Sequence, residues 1–430
     1  MSTHVAVVGA YGSAGVAAAE RLAEVPDLEL TLLDDGEPGG GLCILRGCMP
    51  SKEILSAAEH RFVGRTDDRL GGPPHEVDLE AVVDRKDEHT SSFAAHRRAA
   101  VEALAERDDV TFVHDTARFV DGEGTGATDG SGDPDAGAAP RLAVGDRTLE
   151  PDYVVLATGS LSVVEHDARP LDEADAMFGD ALLAYYEEQF DVDVLTHTHE
   201  QRLEPTDDGG VRLHVERDGD PDVLEADQLF AFTGRRPTLD ALNLEATSLE
   251  PVGGWVDDTM QTVDNDRVFL VGDANAREPI LHVAKEEGHV AAENVRRHRD
   301  GEPLEPYVNV PHHVVFSGLG VLPFVRVGHS AASAETTGLD HVVVTREAAD
   351  DGVFKTKDVP EGLARLVVAD DGTVLGYQGL HYHADVMAKT MQVVVEMGLD
   401  VREVPDRAYH PTTPEILDGL FRDAADALEE

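Results

Sequence analysis

The chain predicts an α/β protein built on a parallel sheet, and three observations carry that reading. Residues 4–8 (HVAVV), a Gly-rich turn, residues 13–24 (SAGVAAAERLAE) and residues 29–33 (ELTLL) read as strand, turn, helix and strand, a βαβ start. Further on, apolar strands at 153–156 (YVVL) and 268–271 (VFLV) both lead into glycine-containing turns. Residues 306–430 alternate strands and helices, which sets an α+β region behind the first.

The remaining elements follow in order. Helices are expected at 50–62 and 86–106. Short strands come next, interrupted by residues 121–139 (DGEGTGATDGSGDPDAGAA), a Gly/Asp-rich run expected as a mobile surface loop inside a β-meander. The strand at 153–156 ends in Ala157-Thr158-Gly159-Ser160. A helix at 171–186 precedes strands at 192–195, 211–216 and 228–232. The strand at 268–271 closes on Gly272-Asp273, and a helix at 280–297 follows. Residues 364–380 (ARLVVADDGTVLGYQGL) form a hairpin turning at Asp371-Gly372, and 384–399 an apolar-faced helix. There is no internal repeat.

At roughly 100–200 residues per domain, 430 residues suggest two to four domains. A hydrophobic content of 41% is that of a globular chain, not of an acidic disordered one. The 85 Asp+Glu against 35 Lys+Arg leave a net charge of -50. Such a surface repels phosphate backbones and anionic lipid, which excludes nucleic acid and membranes as partners. Only six of the 35 basic residues are Lys. Acid excess with scarce Lys reads as a halophilic surface, on which concentrated salt screens repulsion between carboxylates. No stretch approaches the roughly 18 apolar residues of a membrane span. The first residues enter a strand without a basic segment or signal-peptide core, so a cytoplasmic location is expected.

The only cysteines, Cys43 and Cys48, stand five positions apart. A close pair in a chain that avoids Cys elsewhere points to redox chemistry or metal binding rather than a structural staple. Zinc needs about four ligands. No second Cys or His pair stands nearby, so no metal is expected. In the segment Cys43-Ile-Leu-Arg-Gly-Cys48-Met-Pro-Ser-Lys52, Pro50 suits the first turn of a helix. Cys48 would then sit near that helix's N-terminus, where the dipole and Lys52 both favour a thiolate. Two buried structural cysteines are the plainer alternative. The Gly39-Gly40-Gly41 run before the pair and Pro-Ser-Lys after it weigh against that.

The first Gly-rich turn is Gly9-Ala-Tyr-Gly12-Ser-Ala-Gly15, a degenerate form of GxGxxG with Ala10 in the first Gly position. Glycines there let backbone approach a pyrophosphate on the helix N-terminus. Asp34 closes the second strand 22 residues after Gly12, near the spacing of about 20 expected for a ribose-binding acid. A tight strand–helix turn with no ligand would look the same.

With the glycines, CxxxxC and Pro-Ser-Lys in place, the chain resembles the pyridine nucleotide–disulfide oxidoreductases, the family of dihydrolipoamide dehydrogenase and glutathione reductase. Four more segments agree. Ala157–Ser160 looks like the turn leaving the flavin domain, and Thr233-Gly234-Arg235-Arg236-Pro237 like the Gly-Arg-x-Pro segment. Val271-Gly272-Asp273, with Glu287-Gly288-His289 downstream, resembles the segment whose Asp binds the flavin ribityl chain. His410-Pro411-Thr412-Thr413-Pro414-Glu415 is similar to the terminal HPTxxE.

The resemblance implies an FAD-dependent disulfide oxidoreductase. FAD would lie along Gly9, Gly12, Gly15, Asp34, Lys52, Gly159, Gly272 and Asp273. Cys48 would be the thiolate against the flavin and Cys43 the outer thiol that exchanges with a small thiol/disulfide substrate or lipoyl group. His410 would be the acid/base serving Cys43, oriented by Glu415. Because the family's His reaches the partner subunit's site, a homodimer through residues 306–430 is implied. The implied fold is an FAD-binding Rossmann-like domain of the two-dinucleotide-binding-domain type with a C-terminal α+β dimerisation domain. The expected boundaries are 1–160 (FAD domain, first part), 161–240 (truncated NAD(P)-type domain), 241–305 (FAD domain, second part) and 306–430 (dimerisation domain).

The chain departs from the family in one region. No GxGxxG stands between Gly159 and Gly234, and Ser160 runs almost directly into Ser162-Val163-Val164-Glu165, which looks like the end of the NAD(P) domain's second strand. The first strand, Gly-rich turn and first helix of that domain are missing, roughly 50 residues with the linker. The glutamate that pairs with the Pro-Ser-Lys lysine lies in that helix, so Lys52 has another partner or none. NAD(P) binding in the usual site is therefore doubtful, and weakly bound NAD(P)H or a small redox protein is the expected electron donor. The alternative function is a non-catalytic flavin-binding homodimer, a scaffold or redox sensor. Mercuric reductase, a further relative, is disfavoured because no cysteine follows Cys48.

Overall fold

The computed structural model describes residues 2–67, 69–73, 76–120, 140–156, 169–190, 194–206, 211–217, 219–226, 239, 242–315, 322–407 and 409–429. In chain order the first elements are β1 (Thr3–Val8), α1 (Ser13–Leu22), β2 (Leu28–Leu33), α2 (Leu42–Leu45), α3 (Cys48–Thr66), α4 (Leu79–Ala105), β3 (Val110–Val113), β4 (Ala117–Phe119), β5 (Leu142–Val144), β6 (Arg147–Leu149) and β7 (Tyr153–Leu156). Next come α5 (Ala176–Phe190), β8 (Thr198–Pro205), β9 (Val211–Arg217), β10 (Asp220–Ala226), β11 (Val268–Leu270) and α6 (Leu281–Asp300). The chain ends with β12 (His312–Val315), β13 (Phe324–Gly328), α7 (Ala331–Thr336), β14 (His341–Glu347), α8 (Gly352–Lys357), β15 (Gly362–Ala369), β16 (Val374–His381), α9 (Ala384–Glu396) and α10 (Glu415–Ala427). Two compact units result. One is Met1–Ile54 with Leu79–Val163 and Phe232–Asn309, the other Leu55–Asp78 with Val164–Ala231 and Val310–Glu430.

The first unit is built on a five-stranded parallel sheet in the order β11-β7-β1-β2-β3, as the βαβ start predicts. The chain moves outward from β1 to β3, then lays β7 and β11 on the other flank of β1. Strand order therefore reverses between β1 and β7, the kind of switch point where open α/β sheets bind ligands. The alternation of side chains sorts the core into two layers. Val5, Val7, Tyr153, Val155 and Phe269 bury with α1 and α6. Ala6, Val8, Val154, Leu156 and Leu270 bury with Phe119, Leu142 and Val144 of the antiparallel sheet β4-β5-β6, the predicted meander. Because both faces are covered, the strands are continuous apolar runs rather than alternating ones. Helices α1 and α6 meet backbone to backbone: a Cβ on Gly288 would lie 2.5 Å from the Ala14 carbonyl oxygen. Residues 121–139 lie outside the described residues.

The second unit holds a five-stranded antiparallel sheet, β12-β13-β16-β15-β14. Strands β15 and β16 form the predicted hairpin, with Gly372 at φ 100 and the Gly372 N–H donating to Ala369 at 2.8 Å. One face packs α9 and α10. The other packs α5, whose Phe178 and Leu182 bury against Phe324, Leu363 and Leu380. Just before α5, the buried Asp175 accepts from Arg365 Nη1 at 2.9 Å, Gln378 Nε2 at 2.8 Å and the Ala331 and Ala332 N–H groups. Burial pushes its carboxyl up, but these donors prevail and hold it below the usual range.

Two expectations change here. The helix expected at 171–186 is Ala176–Phe190, because Leu171 takes a left-handed φ of 63 and Asp175 is spent as the anchor. Of the strand expected at 192–195, residues 192–193 lie outside the described residues and 194–195 carry no strand; β8 follows, paired to β9 in the separate three-stranded sheet β10-β9-β8. Its sequence, THEQRLEP, is mostly exposed and polar, so backbone pairing rather than burial makes it a strand. The strand expected at 228–232 lies outside the described residues.

The α1–α6 contact yields a test. Gly288→Ala forces the two helices apart and should lower stability by about 1–3 kcal/mol, read as a lower denaturation midpoint in high salt.

Candidate functional site

The switch point carries the Gly-rich turn, a backbone cradle at the start of α1. Gly9 takes φ 91, and its N–H and that of Ala10 both donate to Leu33 at the end of β2, at 2.8 and 3.1 Å. Gly12 is the N-cap of α1 and supplies no side-chain cap, so no N-cap side chain occupies the first turn's N–H groups. A Cβ on Gly15 would lie 2.1 Å from the Gly9 carbonyl oxygen, so only glycine lets the helix come this close to the turn. Asp34 accepts from the Tyr11 N–H through Oδ2 and the Gly36 N–H through Oδ1, both at 2.8 Å. Burial pushes its carboxyl up against these two bonds. The carboxylate thus pins the Gly-rich turn, and each oxygen keeps lone-pair capacity for a hydroxyl.

Sequence reasoning missed Arg97 of α4. Both terminal nitrogens of its guanidinium lie 3.4 Å from Ser13 Oγ, at the start of α1, and burial lowers its pKa. A half-buried cation beside a helix N-terminus favours an anion there. The signal was spacing: Arg97 falls between Thr90, Ala94 and Val101, the buried positions of α4.

The Gly39–Gly41 run locks the cysteine segment onto this cradle. A Cβ on Gly39 would meet the Tyr11 ring at 2.2 Å, one on Gly40 the Ala94 Cβ at 2.6 Å, and one on Gly41 the Tyr11 carbonyl oxygen at 2.7 Å. Arg98 Nη1 donates to the Gly39 carbonyl at 2.5 Å. Cys43 follows on α2 and is disulfide-bonded; the chain's one other cysteine, Cys48, opens α3 as predicted. Lys52 lies in the first turns of α3, exposed, with partial desolvation lowering its ammonium pKa. Glu53 ties α3 to α4 through Arg85 Nε at 2.8 Å and His89 Nδ1 at 3.0 Å, and the His89 bond leads the effects that lower its pKa.

After β11, residues Gly272–Asn275 form a 3-10 turn that carries the half-buried Asp273. A Cβ on Gly272 would stand 3.3 Å from the Ala14 Cβ, so this turn abuts the start of α1. Glu287 of α6, 1% exposed, holds the turn: its Oε2 accepts from the Gly272 N–H at 2.6 Å and Asn275 Nδ2 at 2.9 Å. Burial pushes the Glu287 carboxyl up, opposed by these bonds. The sequence signal was a glutamate at core spacing between Val283, Ala284 and Ala291.

In the second unit, His410 Nδ1 lies 2.9 and 3.1 Å from the two Glu415 carboxylate oxygens, and Oε1 also accepts from the Thr412 N–H at 3.0 Å. The bond to His410 leads the effects holding Glu415 below the usual carboxylate range. The His410 side chain is 78% exposed, while α10 is anchored by buried Ile416, Leu417 and Leu420. Gly9, Gly12, Gly15, Asp34, Gly272 and Asp273 thus gather in the first unit with the cysteine segment. Gly159, the Ala157–Ser160 turn, Ser162–Glu165 and Thr233–Pro237 lie outside the described residues. Among the described residues no helix is long and apolar enough to cross a membrane.

The profile of the pyridine nucleotide-disulphide oxidoreductases matches residues 3–164 and 160–288, and that of their dimerisation domain residues 314–420. Dihydrolipoyl dehydrogenase of Bacillus subtilis is 27% identical over 97% of this chain and 95% of its own length. Dihydrolipoyl dehydrogenase of Halobacterium salinarum is 27% identical over 96% and 94%. Among solved structures, LpdA from Mycobacterium tuberculosis superposes with a TM-score of 0.77 at 19% identity, covering 99% of both chains. The HOCl-induced flavoprotein disulfide reductase RclA from Escherichia coli gives 0.74 at 18%, covering 98% of this chain and 99% of that one.

Glu287 generates a prediction with a definite sign. Its folded pKa lies above the unfolded value, so stability declines as pH rises from about 4.3 through the raised value. Glu287→Gln keeps an acceptor for both donors and should flatten that decline. Glu287→Ala strands two buried donors and should cost about 1–3 kcal/mol for each. Denaturation midpoints measured from pH 4 to about 7 in high salt separate the two.

Proposed function

The chain belongs to the pyridine nucleotide-disulphide oxidoreductase family, and from that premise we propose that it moves two electrons between a small thiol/disulfide or lipoyl substrate and FAD through Cys43 and Cys48. The observation that carries this reading is the disulfide-bonded Cys43, set beside a glycine run that seats on Tyr11 of the nucleotide cradle. The family binds FAD, and the residues present fit it. The first turn of α1 lacks a side-chain cap, a Cβ would fill the cradle at Gly15, and the Arg97 guanidinium stands at Ser13. Arg97 and α1 would hold the pyrophosphate, Asp34 a ribose hydroxyl and Asp273 the ribityl chain.

The chemistry then follows from the chain's own groups. A substrate thiolate attacks Cys43 Sγ, forming a mixed disulfide and releasing Cys48 as a thiolate at the start of α3, where the helix dipole stabilises it. The second substrate thiol attacks the mixed disulfide, giving the substrate disulfide and the Cys43 thiol. The substrate is oxidised and the protein cystine reduced. His410 takes the proton of the first thiol, returns it to Cys43 as that sulfur leaves, and then keeps the proton of the second thiol as an imidazolium, while Glu415 holds the imidazole by Nδ1. Bound FAD supplies the acceptor for the electron pair of the Cys48 thiolate.

Three finer points belong to the same proposal. The dimerisation-domain match over residues 314–420 supports a homodimer in which His410 serves the disulfide across the interface. The net charge of -50 and the relatives in Halobacterium salinarum and Haloferax volcanii support a halophilic enzyme. The lack of a GxGxxG between Gly159 and Gly234 supports loss of the usual NAD(P)H site, with a small redox protein or weakly bound nucleotide as donor.

Anaerobic dithiothreitol titration of the FAD-loaded protein in high salt should raise a long-wavelength thiolate–flavin absorbance band; its absence sinks the reading. Stopped-flow mixing with dihydrolipoamide, NADH and NADPH in parallel should show the dithiol reducing the flavin far faster than either nucleotide. Rapid reduction by a nucleotide would overturn the lost-site reading. Arg97→Gln should weaken FAD retention about tenfold or more, as dialysis against high salt would show.

A further inference from the structure

Residues Tyr382 and His383 join β16 to α9, and His383 is the helix N-cap in the left-handed region, φ 68 and ψ 19. Non-glycine residues adopt this conformation only where their surroundings impose it. The surroundings are well defined. Upstream, His381 is fully buried, and Tyr377 Oη donates to its Nε2 at 2.9 Å while its Nδ1–H donates to the Tyr382 carbonyl at 3.0 Å. Burial drops the His381 pKa to about 4, so that ring is neutral near pH 7 and the peptide before His383 is held in place. The Tyr382 and His383 rings stack at 3.8 Å with an interplanar angle of 26°.

Held in this way, the His383 ring reaches the terminal motif. Its Nδ1 lies 3.2 Å from the hydroxyl of Thr413, itself 5% exposed. Thr413 stands between Thr412, whose N–H binds Glu415 Oε1, and Glu415, which holds His410 Nδ1. Burial, opposed by Asp385 and aided by Lys357, lowers the His383 pKa and so favours a neutral ring as the partner of Thr413. The His410–Glu415 pair, largely exposed on its histidine side, is therefore tied at Thr413 to the rigid end of β16.

We propose that His383 is a positioning residue for His410: through Thr413 it fixes the 410–415 turn in which Glu415 orients the imidazole. This rests on the reading of His410 as the acid/base of thiol exchange. The backbone and side-chain roles of His383 separate in three variants. His383→Gly keeps the left-handed backbone and loses the bond to Thr413. His383→Asn tolerates that backbone and offers an amide to Thr413, and His383→Ala loses both.

In the FAD-loaded enzyme in high salt, His383→Gly should slow dithiol-to-disulfide exchange roughly tenfold and displace its pH profile, with the dithiol KM within about twofold of wild type. His383→Asn should restore most of the rate, and all three variants should change the ring-nitrogen NMR shifts of His410 in the order Asn, Gly, Ala. A His383→Gly enzyme with wild-type rate, pH profile and His410 shifts overturns the proposal. So does a folded His383→Asn enzyme as slow as His383→Gly. His410→Ala is the separate control. If it exchanges thiols at the wild-type rate, the acid/base reading fails, while the His410 shifts in the His383 variants still decide whether His383 positions that ring.

Discussion

Helix α1 is seated with no side chain's width to spare on either flank, and the Gly-rich turn depends on that seat. Gly15 lies against the Gly9 carbonyl on the turn side, and Gly288 of α6 lies against the Ala14 carbonyl on the other. A methyl group at either position has nowhere to go but into backbone, so it must displace the helix rather than a neighbouring rotamer. The same seat brings the Gly272 turn against Ala14 and places Ser13, Arg97 and the uncapped first turn at the reversal of strand order. Potential for an anion is thus assembled from backbone geometry first and from one cation second.

Loops within each unit are held by carboxylates that accept backbone N–H groups. Asp34 takes Tyr11 and Gly36, Glu287 takes Gly272, and Glu415 takes Thr412. Asp175 does the same for Ala331 and Ala332 in the second unit. Charge-assisted bonds of this kind are strong enough to fix an irregular segment that has little apolar surface to bury. Their pKa directions follow from what else is present. Burial prevails at Asp34 and Glu287, while Arg365 helps to tip Asp175 and His410 to tip Glu415 the other way. Of the 85 acidic residues, Asp34, Glu287, Glu415 and Asp175 are among those that hold backbone in place.

Much of the fold was legible because burial imposes periodicity. Strands β1, β2, β7 and β11, covered on both faces, read as apolar runs, and α1, α6 and α9 read from their buried stripes. Strand β8 was not legible, since nothing in THEQRLEP alternates and only its backbone pairing with the next strand, β9, makes it one. The start of α5 was misplaced because Asp175, a residue that would suit a helix's first turn, is bound instead to Arg365 and Gln378, 190 and 203 positions away.

By itself the sequence determined the parallel sheet, the Gly-rich turn, the cysteine pair at a helix start and the His–Glu spacing, because each depends on neighbours along the chain. Only the tertiary structure decided that Asp34 pins the turn, that Arg97 stands at Ser13, that Glu287 carries the Gly272 turn and that His383 reaches Thr413. Those contacts join residues 12 to 84 positions apart. Local propensity and spacing carry no record of such pairs, because only the packed core brings their elements within hydrogen-bond reach.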